Sequence, residues 1–204
     1  MSQRELLIAT SNDGKLREAR EILKDLGFRL LTLSDWEAIQ AVPETGLTFI
    51  ENASLKATAY AHQARVLTLA DDSGLEIDAL QGAPGVRSAR FLSPDASYEV
   101  RNQSLLDQLR GHQNRAARFV CAIAIADANG KLLNVSTGTC DGHIATSASG
   151  SGGFGYDPIF IPDDFEMTFG ELPSEIKNRI SHRARALKSA REFLSSLTGS
   201  SRDS

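Results

Sequence analysis

Residues 9–15, ATSNDGK, form a loop whose residue types suit a bound anion. An apolar segment that predicts a strand precedes the loop, and an amphipathic segment that predicts a helix follows it. Backbone amides at the start of a helix, together with the ammonium of Lys15, favour bound negative charge. Asn12 and Asp13 are also common turn and capping residues, so a plain strand-to-helix turn is the alternative. Leu16 stands where a Walker A loop has Ser or Thr, which excludes that motif.

Four acidic residues are candidates for metal binding or general-base chemistry: Glu44, Glu51, Asp71 and Asp72. Because neighbouring residues of a strand point to opposite faces, only one of Asp71 and Asp72 is expected in a given pocket. Asp72 is preferred, since the predicted strand 66–71 ends there in a turn. The alternative for Asp72 is hydrogen bonding to the turn amides, and the alternative for Glu51 is a helix cap.

The stretch SGGFGYDPIF, residues 151–160, places three glycines around Phe154. Glycine permits positive φ and a close approach to the backbone, and the ring of Phe154 offers a flat face on which a base can stack. The alternative is a glycine-rich hairpin in which Phe154 is a core residue.

Five side chains that carry or can carry positive charge occur within nine positions near the C-terminus: Lys177, Arg179, His182, Arg183 and Arg185. Such a run is usually a solvated face. Cations at the start of a helix oppose the helix dipole, however. Their presence before the predicted last helix therefore indicates a negatively charged or carbonyl-bearing ligand.

The composition excludes several classes of protein. A chain of 204 residues that is 41% hydrophobic and 24% charged is typical of a globular protein. The net charge of −4 argues against general nucleic-acid binding, and no apolar run approaches the roughly 20 residues that span a bilayer. The first residues lack the features of a secretion signal, so a cytoplasmic location is expected. The histidines and cysteines show no zinc-like spacing, so any metal is expected to be a hard cation bound by oxygen.

The predicted elements lack the regular alternation of a doubly wound fold or a barrel, which indicates a mixed α/β protein. Strands are predicted at 5–10, 29–33, 66–71, 119–126, 132–139 and 158–161. Helices are predicted at 15–26, at about 49–64 after a Thr48–Glu51 capping box, at 97–110 and at about 181–197. The chain, residues 1–204, is expected to form a single domain with a disordered tail at about 199–204.

Five segments together resemble one family, the house-cleaning nucleoside triphosphate pyrophosphatases that act on inosine and xanthosine triphosphates and their deoxy forms. The segments are ATSNDGK, ETGLTFIENASLKA (44–57), LADDSGLEIDALQGAPGVRSARF (69–91), GGFGYDPIF (152–160) and KNRISHRARAL (177–187). They follow the family's order and cover essentially the whole chain. Ser11 replaces a glycine of the family pattern, and Gly170 stands where alanine is common. Pro43 stands where some relatives have an additional acid, which leaves Glu44 and Glu51 as alternatives for a second metal carboxylate.

The resemblance implies an elongated, strongly twisted mixed sheet flanked by helices, with two lobes, a central cleft and a homodimeric assembly. It implies magnesium-dependent hydrolysis of ITP, dITP and XTP to the monophosphate and pyrophosphate, which keeps these nucleotides out of DNA and RNA. The alternatives are a pyrophosphatase of pyrimidine or ordinary nucleotides and a nucleotide-binding module without hydrolysis. No nucleic-acid or membrane partner is expected.

The resemblance also implies roles for single residues. Asp72 would serve magnesium and the attacking water, and Glu44 would be the second metal ligand. The triphosphate would be held by Thr10, Ser11, Asn12, Asp13, Gly14 and Lys15, and Ser73 would also contact the substrate. The base and sugar would be surrounded by Phe154, Gly155, Tyr156, Asp157, Lys177, His182 and Arg183.

Overall fold

Strands and helices alternate irregularly along residues 4–199, which are the residues that this computed structural model describes. The strands are β1 (Glu5–Ile8), β2 (Arg29–Thr32), β3 (Leu67–Ile77), β4 (Ala116–Ala126), β5 (Leu132–Ile144) and β6 (Phe160–Pro162). The α-helices are α1 (Asp13–Leu23), α2 (Phe49–Ala64), α3 (Tyr98–Gln108), α4 (Ser174–Ile180) and α5 (His182–Gly199). No helix within residues 4–199 is long and apolar enough to cross a membrane. Of the tail predicted to be disordered, Gly199 ends α5 and residues 200–204 lie outside the described residues.

The strands form a six-stranded sheet in the order β2-β1-β3-β4-β5-β6. Strand β1 is parallel to both of its neighbours, with Leu7 opposite Leu31 of β2 and Thr68 of β3. Strand β6 is antiparallel to β5, with Ile161 opposite His143. The sheet contains both kinds of pairing and helices flank it, so the predicted mixed α/β class is confirmed.

The chain divides into two compact units, and each unit has its own apolar core. Unit 1 consists of the described parts of residues 1–72, 121–138 and 183–204, and unit 2 consists of residues 73–120 and 139–182. The core of unit 1 includes Leu6, Ile8, Leu23, Phe28, Leu69, Ile123, Ile125, Leu187 and Leu194. The core of unit 2 includes Leu75, Ile77, Leu105, Leu109, Phe119, Ile159, Phe160 and Phe169.

Helix α2 begins at the predicted cap, although only half of the predicted capping box forms. The hydroxyl of Thr48 accepts a hydrogen bond from the Glu51 amide at 3.1 Å. The carboxylate of Glu51 accepts from the Leu47 amide at 2.7 Å, one residue before the cap. The apolar stripe of α2 is buried as predicted and includes Phe49, Ala53, Ala57, Tyr60 and Ala64.

Strand β3 continues beyond its predicted end at Asp71 and reaches Ile77. Leu75 and Ile77 are fully buried, and Glu76 between them is half-buried, so the two-residue alternation of a strand resumes after a polar, small-residue stretch. Asp72 therefore lies inside a strand and not at a strand-to-turn junction. The prediction of a turn at Asp72 was wrong because that stretch contains the turn residues Ser73 and Gly74, and sheet pairing outweighs their turn propensity.

The C-terminal basic run lies on two helices, of which only the second was predicted. Helix α4 carries Lys177 and Arg179 and ends at Ile180, and the backbone of the capping residue Ser181 is extended (φ −65°, ψ 156°). Helix α5 then begins at His182. The predicted strand at 158–161 begins two residues late, because Pro158, which has no amide to donate, lies in a short 3-10 helix.

Candidate functional site

The predicted anion loop caps helix α1. The side-chain oxygen of Asn12 accepts a hydrogen bond from the Lys15 amide at 3.0 Å, and the Asn12 amide donates to the Thr10 hydroxyl at 3.2 Å. The helix begins at Asp13, two residues before its predicted start. The loop thus leads directly into an eleven-residue helix that includes Lys15 in its first turn. The backbone amides at the N-terminus of this helix favour a bound anion. The other loop residues are Ser11, which is exposed, and Gly14, which is buried.

Lys15 belongs to a buried group of charges in unit 1, which we call the Asp71 cluster: Lys15, Glu18, Asp71 and Arg183. The Lys15 ammonium lies 3.1 Å from Asp71 Oδ2. Arg183 donates from Nε to the same Asp71 oxygen at 3.1 Å and from Nη1 to Glu18 at 2.7 Å. A cavity of about 10 Å³, which is about the room that one water needs, lies against Lys15, Asp71 and Arg183 and also contacts Thr10.

The charges of this cluster fix the ionisation of Asp71. Burial alone would raise the pKa of Asp71, but Lys15, Arg183 and Lys56 outweigh burial and hold the pKa below its usual range. Burial alone would likewise lower the pKa of Arg183, but Glu18 and Asp71 raise it. Asp71 is therefore ionised near neutral pH and too weak a base to take a proton there. Its chemical role is to hold Lys15 and Arg183.

Asp72 belongs to a second group in unit 1, the Asp72 cluster: Glu44, Asn52, Lys56 and Asp72. The Lys56 ammonium lies 2.7 Å from a carboxylate oxygen of Glu44 and 2.9 Å from Asp72 Oδ1. Asn52 donates to Asp72 Oδ2 at 3.2 Å and accepts from the Gly46 amide at 2.7 Å. Glu44 is half-buried, while the other three residues are buried. Each oxygen of Asp72 thus has a donor, and Glu44 is the member nearest to solvent.

Asp71 and Asp72 have opposite pKa shifts although they are consecutive. Burial raises the pKa of Asp72, and the positive charges of Lys56 and Lys15 offset this only in part. Burial alone would lower the pKa of Lys56, but Asp72, Asp71 and Glu44 outweigh it and raise that pKa. Two neighbouring carboxylates whose surroundings separate their pKa values can take different roles. Of the two, Asp72 is the one suited to accept a proton.

The Asp72 cluster contains two carboxylates of the kind that bind a divalent cation. Glu44 and Asp72 already share one positive charge, the ammonium of Lys56. Their carboxylates are hard oxygen ligands, and Mg²⁺ typically takes one or two carboxylates with water and phosphate completing its shell. Among the described residues, no three His, Cys, Asp or Glu side chains are grouped so as to hold a metal. Glu51, the other predicted candidate, is exposed and bonded to the Leu47 amide.

The glycine-rich loop of unit 2 is shaped by one of its own carboxylates. Gly153 has a φ of +69°, and a Cβ at this position would lie 2.1 Å from Asp157 Oδ2. The same oxygen accepts a hydrogen bond from the Phe154 amide at 2.6 Å. The sequence predicted that the glycines leave room for a ligand, but Gly153 leaves room for Asp157.

Lys177 places an ammonium over an aromatic ring in unit 2. Its nitrogen lies 2.6 Å from Asp157 Oδ2, 4.5 Å from the centre of the Phe154 ring and 5.8 Å from the centre of the Phe169 ring. The lysine is 5% exposed, so its charge is neutralised by Asp157 and the ring faces and not by water. A buried donor next to a flat ring is suited to recognise an oxygen on the edge of a heterocycle.

The other predicted base-contacting residues of unit 2 are buried in its core. His182 stacks on Phe119 with ring centres 4.6 Å apart and an angle of 11° between the planes. The hydroxyl of Tyr156 donates to the Ser88 carbonyl at 2.8 Å, and burial raises the pKa of Tyr156. Ser73 is half-buried in β3, and Arg183 lies in the Asp71 cluster of unit 1. The structure therefore brings Phe154, Asp157 and Lys177 together, whereas Tyr156 and His182 occupy core positions.

Three residues of these clusters were missed from the sequence: Glu18, Asn52 and Lys56. Asn52 and Lys56 are four residues apart on α2 and lie beside its apolar stripe, so helical geometry places both on the buried face. Glu18 is three residues after Lys15 on α1. The signal available in the sequence was the helical spacing of these polar residues, which predicts that they lie on or beside the buried face of their helix.

Comparison with known proteins gives consistent similarities. Residues 6–193 match the sequence model of the Ham1 family. The dITP/XTP pyrophosphatase of Desulforamulus reducens is 46% identical over 194 residues, which is 94% of this chain and 96% of that protein. The enzyme of the same name from an Exiguobacterium species is 49% identical, over 90% of this chain and 93% of that protein. A solved HAM1 protein structure from Coxiella burnetii has a TM-score of 0.87 at 38% identity, covering 95% of this chain and 99% of that one.

The Asp71 cluster predicts a pH-dependent contribution to stability. Asp71→Asn should lower the free energy of unfolding at pH 7 by about 3 kcal/mol, because it removes one partner from a buried ion pair. The folded-state pKa of Asp71 is depressed, so its contribution is present above the unfolded pKa of about 3.9 and is lost as the pH falls through the folded value. Denaturant unfolding at pH 7 and at pH 3 should show the difference between variant and wild type shrinking in acid.

Glu21→Gln is the matched control, because Glu21 pairs with Lys24 at 2.7 Å on the surface. Its effect should stay below about 1 kcal/mol. Equal stability of Asp71→Asn and wild type at pH 7, or a difference that grows in acid, would contradict the assigned role of Asp71.

Proposed function

The chain belongs to the Ham1 family, and we propose that it hydrolyses oxopurine nucleoside triphosphates such as dITP, ITP and XTP to the monophosphate and pyrophosphate. The two curated relatives described above are named dITP/XTP pyrophosphatases, and this chain aligns over more than nine-tenths of each. The observation that carries the proposal is the Asp72 cluster, in which two carboxylates share one ammonium in the unit that also contains the Lys15 loop.

The triphosphate is bound by the loop Thr10–Lys15. A nucleoside triphosphate carries about four negative charges at neutral pH, so its phosphates need local positive potential in a protein whose net charge is −4. The amides at the start of α1 and the ammonium of Lys15 supply it. Asp71 acts through Lys15, because it holds the Lys15 ammonium in place, and Arg183 in turn donates to the same oxygen of Asp71.

Glu44 and Asp72 would hold the divalent cation, for which we propose Mg²⁺. When bound, the cation supplies positive charge that shields the phosphate oxygens. Lys56 keeps the two carboxylates together before the cation binds, since its nitrogen contacts both. Asn52 fixes the second oxygen of Asp72.

Asp72 accepts the proton of the attacking water. The water oxygen forms a bond to the α-phosphorus, and the bond from that phosphorus to the oxygen bridging the α and β phosphates breaks, so pyrophosphate leaves. In the protein without a bound cation, burial raises the pKa of Asp72, whereas Lys15 and Arg183 hold the pKa of Asp71 low, which favours Asp72 over Asp71 as the proposed proton acceptor. Positioned general bases typically contribute factors of about 10² to 10⁴ in rate.

The base is recognised in unit 2 by Phe154 and Lys177. Phe154 stacks on the purine, and the Lys177 ammonium, held by Asp157, donates to the 6-oxo group. Adenine has an amino group at this position, so a buried donor would face another donor, at a cost of about 1–3 kcal/mol. A mismatch of this size corresponds to a selectivity of roughly ten- to a hundredfold. Gly155, Tyr156, His182 and Ser73 complete the proposed substrate-binding set, with Tyr156 and His182 supporting it from the core.

A homodimer in the cytoplasm is part of the same proposal. The family resemblance supports the dimer, and the sequence composition supports the location. Light scattering of the purified chain tests the assembly.

Pyrophosphate release across a nucleotide panel tests the activity. With Mg²⁺, ITP, dITP and XTP should be turned over faster than ATP and CTP by about ten- to a hundredfold in kcat/KM. A chelator should stop all release. Equal rates for all nucleotides would favour a general pyrophosphatase, and binding without release would favour a nucleotide-binding module.

Asp72→Asn tests the general base. The amide keeps the shape of the side chain but cannot take a proton, so kcat for ITP should fall by about 10² or more while the nucleotide still binds. Steady-state kinetics and equilibrium binding of ITP separate the two effects. The surface variant Glu21→Gln should match wild type in both measurements, and near-normal turnover by Asp72→Asn would remove Asp72 from catalysis.

Lys177→Met tests base recognition. Methionine keeps an apolar stem of similar length but has no charge, so the preference for ITP over ATP should fall by roughly ten- to a hundredfold. The measurement is kcat/KM for both nucleotides. The exposed Lys188→Met is the matched control on α5 and should leave the ratio unchanged. Equal losses on ITP and ATP would contradict a base-reading role for Lys177.

A further inference from the structure

The glycine-rich loop is held by a side chain on each side of Phe154. On one side, Asp157 accepts from the Phe154 amide at 2.6 Å. On the other side, Asn102 donates from Nδ2 to the carbonyl of Gly155 at 3.1 Å. Asn102 lies on α3, 53 residues before Gly155 in the sequence, so the hydrogen bond ties the loop to a separate helix of unit 2.

A buried asparagine such as Asn102 lowers the stability of the fold unless its amide groups are hydrogen-bonded. Asn102 is 6% exposed, and its Oδ1 has no protein hydrogen-bond partner within residues 4–199. A buried acceptor that loses water without gaining a partner lowers stability, and an apolar residue of the same size would avoid that loss. The bond to Gly155 is therefore the interaction that an amide supplies here and a leucine cannot.

The backbone next to Phe154 depends on this contact with α3. Gly155 has a φ of +69°, and a Cβ at this position would lie 3.5 Å from the Tyr98 ring. Tyr98 in turn contacts the edge of Tyr156, with ring centres 5.3 Å apart. Helix α3 thus packs against the two residues that follow Phe154 and bonds the first of them.

The ring of Phe154 is not fixed by core packing alone. Phe154 is half-buried and lines a groove of about 400 Å³ between the loop and α3, together with Tyr98, Asn102 and Gly155. The Lys177 ammonium, 4.5 Å from the ring centre, is one neighbour of this ring, and the position of the ring also depends on the backbone that carries it. That backbone is held by Asp157 before the ring and by Asn102 after it.

We propose that Asn102 is a positioning residue for purine recognition, which fixes the backbone of Gly155 and thereby the stacking face of Phe154. The inference rests on the proposed function, in which Phe154 stacks on the base. Asn102 contacts neither the base nor the phosphates in this role. Its loss should weaken substrate binding and leave the chemistry of the Asp72 cluster, which lies in unit 1, unchanged.

Asn102→Leu tests the role, with Gln103→Leu as its matched control. Gln103 is an exposed amide on the same helix, and its side chain pairs with Asp107. Asn102→Leu should raise KM for ITP about tenfold, equivalent to about 1.4 kcal/mol, with kcat within about twofold of wild type. Gln103→Leu should match wild type. An unchanged KM in Asn102→Leu, or a fall confined to kcat, would overturn the proposal.

A double-mutant cycle with Phe154→Ala separates positioning from a general effect on the fold. If Asn102 acts through the Phe154 ring, Asn102→Leu should change KM by less than about twofold when the ring is already absent. A tenfold effect that persists in the Phe154→Ala background would overturn the proposal. If Asn102→Leu does not fold, Asn102→Asp keeps the side-chain shape, places an oxygen against the Gly155 carbonyl and enters the same cycle.

Hydrogen exchange in the nucleotide-free protein tests the hold on the loop without any activity measurement. Residues 152–156 should exchange faster in Asn102→Leu than in wild type and in Gln103→Leu, with α5 unchanged. Unaltered exchange would overturn the proposal. If the wild type hydrolyses no oxopurine triphosphate but this exchange difference appears, the proposed function fails and the loop contact stands.

Discussion

Consecutive residues of a β-strand point to opposite faces, and this constraint organises unit 1. It separates Asp71 from Asp72 on β3, so that two carboxylates one residue apart belong to different clusters. Asp71 meets Lys15 and Arg183, which depress its pKa, whereas Asp72 meets one lysine and an amide and keeps a raised pKa. In the proposed function, one strand thus supplies both a fixed negative charge, Asp71, and a proton acceptor, Asp72.

The buried ion pair of unit 2 has different surroundings from the clusters of unit 1. The Lys177–Asp157 pair lies next to the aromatic rings of Phe154 and Phe169. Lys177 pairs with Asp157 and lies over Phe154, and the same carboxylate oxygen accepts the Phe154 amide. Asp157 therefore sets the position of a donor and of an aromatic face at once. In the proposed function, the donor contacts the edge of one heterocycle and the ring contacts its plane. The carboxylate of Asp157 therefore fixes the positions of both groups relative to each other.

The sequence was most informative where a local signal decides the structure. The strand before the Lys15 loop, the Thr48 cap and the apolar stripe of α2 were predicted from local patterns, and the structure contains all three. The predictions from the sequence failed where tertiary contacts decide the structure. Strand β3 passes through Ser73 and Gly74 because Leu75 and Ile77 belong to the core of unit 2. Lys56 was missed because a lysine in a helix is usually exposed, and only the fold shows that two acids face it.

The ammonium of Lys56 acts as a resident counter-ion for Glu44 and Asp72. Without it, two partly buried carboxylates would repel each other in the empty protein, and folding would depend on a supply of divalent cation. With it, one of the two negative charges is compensated in the nucleotide-free protein. In the proposed function, a divalent ion would then bind mainly when an incoming polyphosphate adds its own negative charge, so that occupancy by the cation would depend on the arrival of substrate.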